Sequence, residues 1–170
     1  MRSVQNISQM TLDEYLTVGD LTIDGSIKHG DITRFLASRV GDTGKVLAFS
    51  DNKHDVDQVA TSLFLSGLNQ RVDLISKDFS AIINYLDPTQ PVGAALFQID
   101  ADTDQTALLS TIKPLLMALK KQGMILLITN DATPIPELTD YAKNLPEQAY
   151  DVKQFQDLQS GEQVLLLQRL

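Results

Sequence analysis

Cysteine and tryptophan are both absent from this chain of 170 residues. The lack of cysteine excludes disulfide bonds and cysteine-ligated zinc, and it gives no sign of an oxidising compartment. No apolar run approaches the roughly 20 residues of a membrane-spanning helix, and the N-terminus lacks the apolar core of a secretory signal. We therefore expect a cytoplasmic protein with no membrane segment.

Basic side chains are also in the minority. The 14 Lys and Arg residues face 22 Asp and Glu residues, which gives a net charge of -8. A surface that binds nucleic acid needs basic groups to neutralise phosphates. RNA and a small molecule both stay open as substrates, although the negative charge disfavours RNA. The sequence does not indicate an oligomeric state.

Short apolar runs alternate with amphipathic stretches along the whole chain. Runs of this kind, bounded by Gly, Pro or Asp, are typical of buried parallel strands. They predict strands at 21–24, 45–49, 72–76, 92–99 and 123–129. The stretches between them predict helices at 8–16, 31–40, 55–68, 79–86, 106–121 and, after Pro136, up to 144. Pro114 predicts a kink or a break into two pieces within its helix.

The C-terminal tail departs from this alternation. Two strand-like runs, 149–156 and 163–170, are separated only by DLQSGE, which is too short for a crossover helix. They must therefore pair as an antiparallel hairpin. We expect an α/β fold with a doubly wound, seven-stranded, mostly parallel sheet and a C-terminal antiparallel hairpin, which is the plan of class I methyltransferases. Residues 1–170 are expected to form one domain, with 1–18 as a helical lead-in.

The segment GDLTIDGSIKHGDITRFLASRVGDTGKVLAF, residues 19–49, resembles the opening of a family of small bacterial methyltransferases known as rRNA methylases. Some members of that family are thought to modify a wobble uridine of tRNA. The similarity extends from about residue 10 to the end, and YDVKQFQ (150–156) is similar to the family's sixth strand. It implies an S-adenosylmethionine-dependent methyltransferase. The matching positions are Gly19, Asp20, Asp24, Gly30, Thr33, Phe35, Leu36, Ala37, Gly44, Lys45 and Val46.

Around the implied cofactor site the chain departs from the family's pattern. Lys28 stands where the turn after the first strand has its first glycine. Ser50 stands where an acid binds the ribose hydroxyls, and Asp51 follows one residue later. Gln98 begins the segment QIDAD in place of Asn-Leu-Gly-Tyr-Leu-Pro, and an Asn-x-x-x-Pro-Pro segment before the last strand is missing. Three departures around one pocket indicate a changed function.

The turn after the first strand is implied to hold the methionine part of the cofactor. Glycine is favoured there because it has no side chain to collide with a ligand. Lys28 would swing outward, pair with the cofactor's carboxylate, or fill the site. Asp24 would hold the cofactor's amino group or face the first turn of the next helix. Gly25 and Gly30 would approach the ligand or merely form the tight turn. The candidate residues in this turn are Asp24, Gly25, Ser26, Lys28, Gly30 and Thr33.

The rest of the cofactor is implied to contact three further loops. Ser50 and Asp51 follow the second strand, although strand alternation points them to opposite faces and favours Asp51 as a solvated acid. Asp78 and Phe79 would contact the adenine amine and ring, or form a helix N-cap and a core position. Gln98 ends the fourth strand, where substrate contacts gather.

The remaining polar residues give weaker indications. Asp100, Asp102 and Asp104 could accept a proton or bind a cation, but the glycine and distal glutamate of a calcium loop are missing, which favours a solvated acidic loop. His29 and His54 lie in different loops and do not indicate a metal site. No catalytic residue is assigned.

Two functions follow from these observations. The first is a methyltransferase of the small rRNA or tRNA methylase type, with weak or lost activity. The second is a non-catalytic protein that keeps the fold and acts as a binding or regulatory partner.

Overall fold

The protein alternates strands and helices along its whole length in a computed structural model that describes residues 3–170. The first two residues of the expected lead-in, 1–18, lie outside the described part. The helices are α1 (Val4–Tyr15), α2 (Asp31–Val40), α3 (Lys53–Leu65), α4 (Gln105–Ala118) and α5 (Pro136–Lys143). The strands are β1 (Leu21–Asp24), β2 (Lys45–Phe49), β3 (Val72–Ile75), β4 (Val92–Ile99), β5 (Leu119–Thr129), β6 (Tyr150–Gln156) and β7 (Gln163–Arg169). Two 3₁₀ helices span Asn69–Arg71 and Phe79–Tyr85.

The seven strands form one sheet in the order β3-β2-β1-β4-β5-β7-β6. The first five strands are parallel, whereas β7 lies antiparallel to both β5 and β6. The expected fold class and the C-terminal hairpin are therefore confirmed. The chain winds from β1 to β3 on one side and to β4 and β5 on the other, so the strand order reverses beside β1.

Two apolar cores lie on opposite faces of the sheet. Successive strand residues point to opposite faces, so Leu126 packs in one core and Leu127 in the other. The first core is formed with α1, α2 and α3, and the second with α4, α5 and the 3₁₀ helix that contains Ile82. Both faces are covered, as the continuous apolar strands require.

Several boundaries differ from the sequence prediction. α1 begins at Val4 and not at residue 8, because Ser3 caps it by accepting a hydrogen bond from the Asn6 N–H. Asn52 likewise starts α3 before the expected residue 55. The segment expected as a helix at 79–86 is 3₁₀.

Of the two outcomes expected at Pro114, a kink or a break, the break does not occur, since α4 continues through it. This helix ends at Ala118, and β5 begins at the next residue. Among residues 3–170, no helix has the length and apolar character needed to cross a bilayer.

Candidate functional site

The turn between β1 and α2, residues 25–30, lies at the carboxyl edge of the sheet and is bonded to both neighbouring strands. The Gly25 N–H donates to the Leu96 carbonyl of β4 at 2.8 Å, and the Ile27 N–H donates to the Phe49 carbonyl of β2 at 3.2 Å. The Ile27 side chain is fully buried. The turn is therefore held by the sheet on both sides.

Asp24 ends β1 and is fully buried under this turn. One carboxylate oxygen accepts from the Ser26 N–H at 3.0 Å, and the other accepts from the Thr33 hydroxyl at 2.6 Å. Burial raises the pKa of this carboxyl to about 6, against the lowering effect of the two hydrogen bonds. Of its two expected arrangements, Asp24 takes the second, in which it faces the start of α2. Its contact with that helix is a side-chain hydroxyl of the first turn.

Ser26 connects the turn to the end of β4. Its hydroxyl accepts from the Gln98 N–H and donates to the Gln98 carbonyl, both at 3.3 Å. Gln98 is only half-buried. The structure therefore brings these two predicted site residues together through backbone groups of Gln98.

The two glycines of the turn are required by protein packing. A Cβ atom on Gly25 would lie 2.3 Å from the Phe97 ring. Gly30 has a φ of 86° and precedes α2, and a Cβ there would lie 2.7 Å from Val59. Protein side chains therefore occupy the space next to both glycines, which supports the interpretation that they form the tight turn.

Lys28 has a backbone conformation that is uncommon for a residue with a side chain. Its φ is 46°, in the left-handed region that glycine enters most readily. Its ammonium forms an ion pair with Asp100, with 2.8 Å between Nζ and Oδ2. None of the three expected arrangements named this partner. The pair joins the turn after β1 to the loop after β4.

Asp100 is also fixed within its own loop. Its other carboxylate oxygen, Oδ1, accepts from the Asp102 N–H at 2.9 Å, and the Thr103 hydroxyl lies at 3.3 Å. The hydrogen bond from Lys28 is the main reason that the pKa of Asp100 lies below its usual value. Asp100 therefore stays partly solvated, with 43% of its side chain exposed, but it has an ion-pair partner that the sequence did not indicate. Asp104 caps α4 by accepting from the Ala107 N–H.

The loop after β2 contains Ser50 and Asp51. The Ser50 hydroxyl accepts from the Asn52 N–H at 3.0 Å, and the Ser50 N–H donates to the Ile75 carbonyl of β3 at 3.1 Å. Asp51 is exposed, as expected for a solvated loop acid. The loop therefore presents a hydroxyl and a carboxylate at this edge.

Asp78 and Phe79 follow β3. Asp78 accepts hydrogen bonds from the N–H and the hydroxyl of Ser80, which confirms the interpretation of Asp78 as an N-cap. Phe79 is half-buried and meets Phe97 edge to face, with 6.2 Å between ring centroids. Phe79 thus packs against the core through part of its ring, which confirms the interpretation of Phe79 as a core position.

Two residues near the site were missed by sequence reasoning. Thr129 ends β5, and its hydroxyl is the one buried side-chain oxygen or nitrogen without a hydrogen-bond partner among residues 3–170. Asp131 follows in an exposed position, and hydrogen bonding from Thr133 is the main cause that lowers its pKa. The charge of Asp100 raises this pKa and the charge of Lys28 lowers it. Periodicity gave no signal for either residue, because both depend on which loops meet at the sheet edge.

Across the described part of the chain, no three His, Asp or Glu side chains converge to hold a metal ion. The side chains at this edge that could hold a cofactor are Lys28, Ser50, Asp51, Asp78, Phe79 and Asp100.

Comparison with known proteins shows which fold this is. No family model matches the chain. A protein from Clostridium thermocellum, provisionally described as an rRNA methylase, superposes with a TM-score of 0.90 at 18% identity over 100% of this chain and 97% of its own. An rRNA methylase from Streptococcus thermophilus superposes with a TM-score of 0.87 at 20% identity, over 100% of this chain and 98% of its own. A protein from Streptococcus mutans, provisionally described as a methyltransferase, was solved with S-adenosylhomocysteine (SAH). It superposes with a TM-score of 0.87 at 20% identity, over 100% of this chain and 99% of its own.

The chain therefore has the class I methyltransferase fold. Its similarity to small rRNA methylases covers its whole length, in agreement with the resemblance seen in the sequence. At this level of identity the similarity defines the fold, and the activity has to be argued from the site.

Proposed function

We propose that this chain binds S-adenosylmethionine across the carboxyl ends of β1 to β4 and is a methyltransferase that depends on it. The observation that carries the proposal is the turn between β1 and α2, where the strand order reverses. Doubly wound sheets bind ligands at such a switch point. Asp24 ends β1 there and is braced by Ser26 and Thr33. The Streptococcus mutans protein of the same fold was solved with SAH, which supports a cofactor of this kind.

The side chains along this edge match the chemical groups of the cofactor. Lys28 and Asp100 offer one cation and one carboxylate, which complement a methionine end that carries a carboxylate and an ammonium group. On the other side of the turn, Phe79 offers an apolar ring for adenine and Asp78 a carboxylate for its amine. For the ribose hydroxyls, the edge offers the groups on Ser50 and Asp51.

The chemistry would need positioning more than acid–base groups from the protein. When bound, the cofactor supplies a methyl group on a positively charged sulfur, which a nucleophilic atom of the acceptor attacks. Holding the acceptor close to that methyl group in the correct orientation can supply much of the rate enhancement. We assign no side chain as a base.

The acceptor is proposed to be a small neutral or cationic molecule. Asp102 and Asp131 are exposed at the carboxyl ends of β4 and β5, where an acceptor would approach. Together with the chain's net charge of -8, these two carboxylates repel a polyanion such as RNA. A cytoplasmic location, expected from the sequence, is part of the same proposal.

A methyl-transfer assay on RNA checks the proposed acceptor. With cofactor carrying a radiolabelled methyl group, we expect no label in precipitated total RNA above a heat-inactivated control. Incorporation of label into RNA by the wild-type protein would contradict the proposed acceptor class while supporting the activity.

Calorimetry with SAH tests cofactor binding directly. We expect a Kd of roughly 10–100 µM, or about -7 to -5 kcal/mol, and a rise in melting temperature with ligand concentration. Adenosine triphosphate, which shares the nucleoside but carries four negative charges, serves as the control ligand and should bind far more weakly. If about 1 mM SAH produces no heat and no rise in melting temperature, the proposal is overturned.

A non-catalytic binding or regulatory protein is the second candidate. The observation that favours it is the Lys28–Asp100 ion pair, which lies across the side of the turn where the methionine end of the cofactor would sit. The same calorimetry separates the two, because a protein closed to the cofactor gives no heat with SAH.

A further inference from the structure

The ion pair between Lys28 and Asp100 is easily opened. The side chains are 36% and 43% exposed, so water reaches both partners. Ion pairs with this exposure contribute little to stability, because water solvates both charges. A ligand that replaces one partner therefore has little free energy to overcome.

The two partners differ in how they are held. Asp100 accepts hydrogen bonds within its own loop, from the Asp102 N–H and the Thr103 hydroxyl, through the oxygen that Lys28 does not use. Lys28 reaches Asp100 through a flexible four-carbon stem. Its backbone is fixed by the flanking bonds of Ile27 and Gly30. The carboxylate is thus positioned without the lysine, and the ammonium group is free to move to a new partner.

The pair has the charge pattern of an α-amino acid in reverse. An amino-acid group presents one carboxylate and one ammonium a few bonds apart, and Lys28 and Asp100 offer one cation and one anion in contact. Asp131 adds a second negative charge near them. A zwitterion would satisfy both partners, whereas a ligand with a single charge would leave one of them without a partner.

We propose, on the basis of the proposed function, that Lys28 and Asp100 form a receptor for the zwitterionic amino-acid end of the cofactor. On binding, Lys28 leaves Asp100 for the ligand's α-carboxylate, and Asp100 accepts the ligand's α-ammonium group. The exchange makes this protein select nucleosides that carry an α-amino acid over nucleosides that lack one. Lys28 is therefore a specificity-determining residue and not an obstruction.

The test compares two ligands that differ only at this end. SAH carries the amino-acid group, and 5′-methylthioadenosine has a methyl group in its place. We expect the wild-type protein to bind SAH about tenfold more tightly, equivalent to about 1.4 kcal/mol. Lys28→Met should abolish this preference while leaving the Kd for 5′-methylthioadenosine within about twofold. Lys28→Arg should retain most of the preference, because the cation is retained.

Lys45→Met is the matched control. Lys45 forms an exposed ion pair with Asp73 at the opposite edge of the sheet, with 41% and 56% of the side chains exposed. Its replacement should leave the preference between the ligands unchanged. Circular dichroism of all variants confirms that each is folded before titration.

The outcomes separate this inference from the proposed function. Tighter SAH binding by Lys28→Met, or an unchanged preference, overturns the receptor and leaves cofactor binding standing. A parallel loss for both ligands also overturns the receptor, because it shows a general effect on the edge of the sheet. If neither ligand binds the wild-type protein, the proposed function and the receptor both fail.

Discussion

Replacing Gly25 by alanine is expected to destabilise the folded protein by about 3 kcal/mol. The new Cβ would lie 2.3 Å from the Phe97 ring, well inside contact distance. Phe97 is only 1% exposed and is packed against Phe79, so the ring has little space into which to move. Urea unfolding followed by circular dichroism measures the loss. We expect the midpoint to fall with little change in the slope.

A double-mutant cycle shows whether the clash is the cause. Phe97→Leu alone should cost about 1–2 kcal/mol, and in its presence Gly25→Ala should cost less than about 1 kcal/mol. Gly67→Ala is the control for backbone strain, since Gly67 has a φ of 72° but no atom within 4 Å of its Cβ position. It should cost only about 1 kcal/mol. Additive losses at Gly25 and Phe97 would contradict the packing explanation.

This result bears on how the turn is interpreted. In a Gly-rich cofactor turn, a missing Cβ lets the backbone approach the ligand. Here the space next to Gly25 is filled by an aromatic ring of the protein core. If the cycle shows strong coupling, Gly25 is retained for packing, and ligand specificity must come from side chains such as Lys28.

The stability contributed by Asp24 is expected to depend strongly on pH. Its folded-state pKa of about 6 lies above 3.8, the ordinary value for an aspartic acid side chain. The neutral carboxyl therefore favours folding below about pH 4, and this contribution is lost as the pH rises through 6. The difference corresponds to about 3 kcal/mol across the whole range, of which roughly 2 kcal/mol lies between pH 4 and 7.

Asp24→Asn isolates this contribution. The amide cannot titrate, and it can keep one hydrogen bond with Ser26 and one with Thr33 by exchanging donor and acceptor roles with the hydroxyl. Urea unfolding from pH 4 to 7 should show the variant gaining roughly 2 kcal/mol relative to the wild type as the pH rises. A constant difference between Asp24→Asn and the wild type would contradict the burial of an ionisable carboxyl.

Much of the fold could be predicted because it depends on local patterns. The apolar runs at 21–24, 45–49 and 92–99 became β1, β2 and β4 at their expected bounds. The six residues between the last two runs required an antiparallel hairpin. Helix limits were less accurate, because capping by Ser3 and Asn52 set them. Pro114 did not break α4, where the buried residues Thr111, Ile112, Leu115 and Leu116 anchor the helix on both sides of the proline.

The site was predicted only in part. Sequence position indicated that Asp24 and Lys28 follow β1 and that Gln98 ends β4. It could not show that Lys28 contacts Asp100, because 72 residues separate the two in the chain. A cation and an anion placed directly after adjacent parallel strands were the available signal, since carboxyl ends of such strands meet at one edge.

The sequence by itself determined the class of fold, the doubly wound order and the position of the turn that follows β1. These depend on hydrophobic periodicity and on connection lengths, which are properties of short segments. Only the tertiary structure decided what the turn contains. The Phe97 ring beside Gly25, the buried carboxyl of Asp24 and the partner of Lys28 all come from neighbouring strands, whose side chains meet only when the sheet has formed.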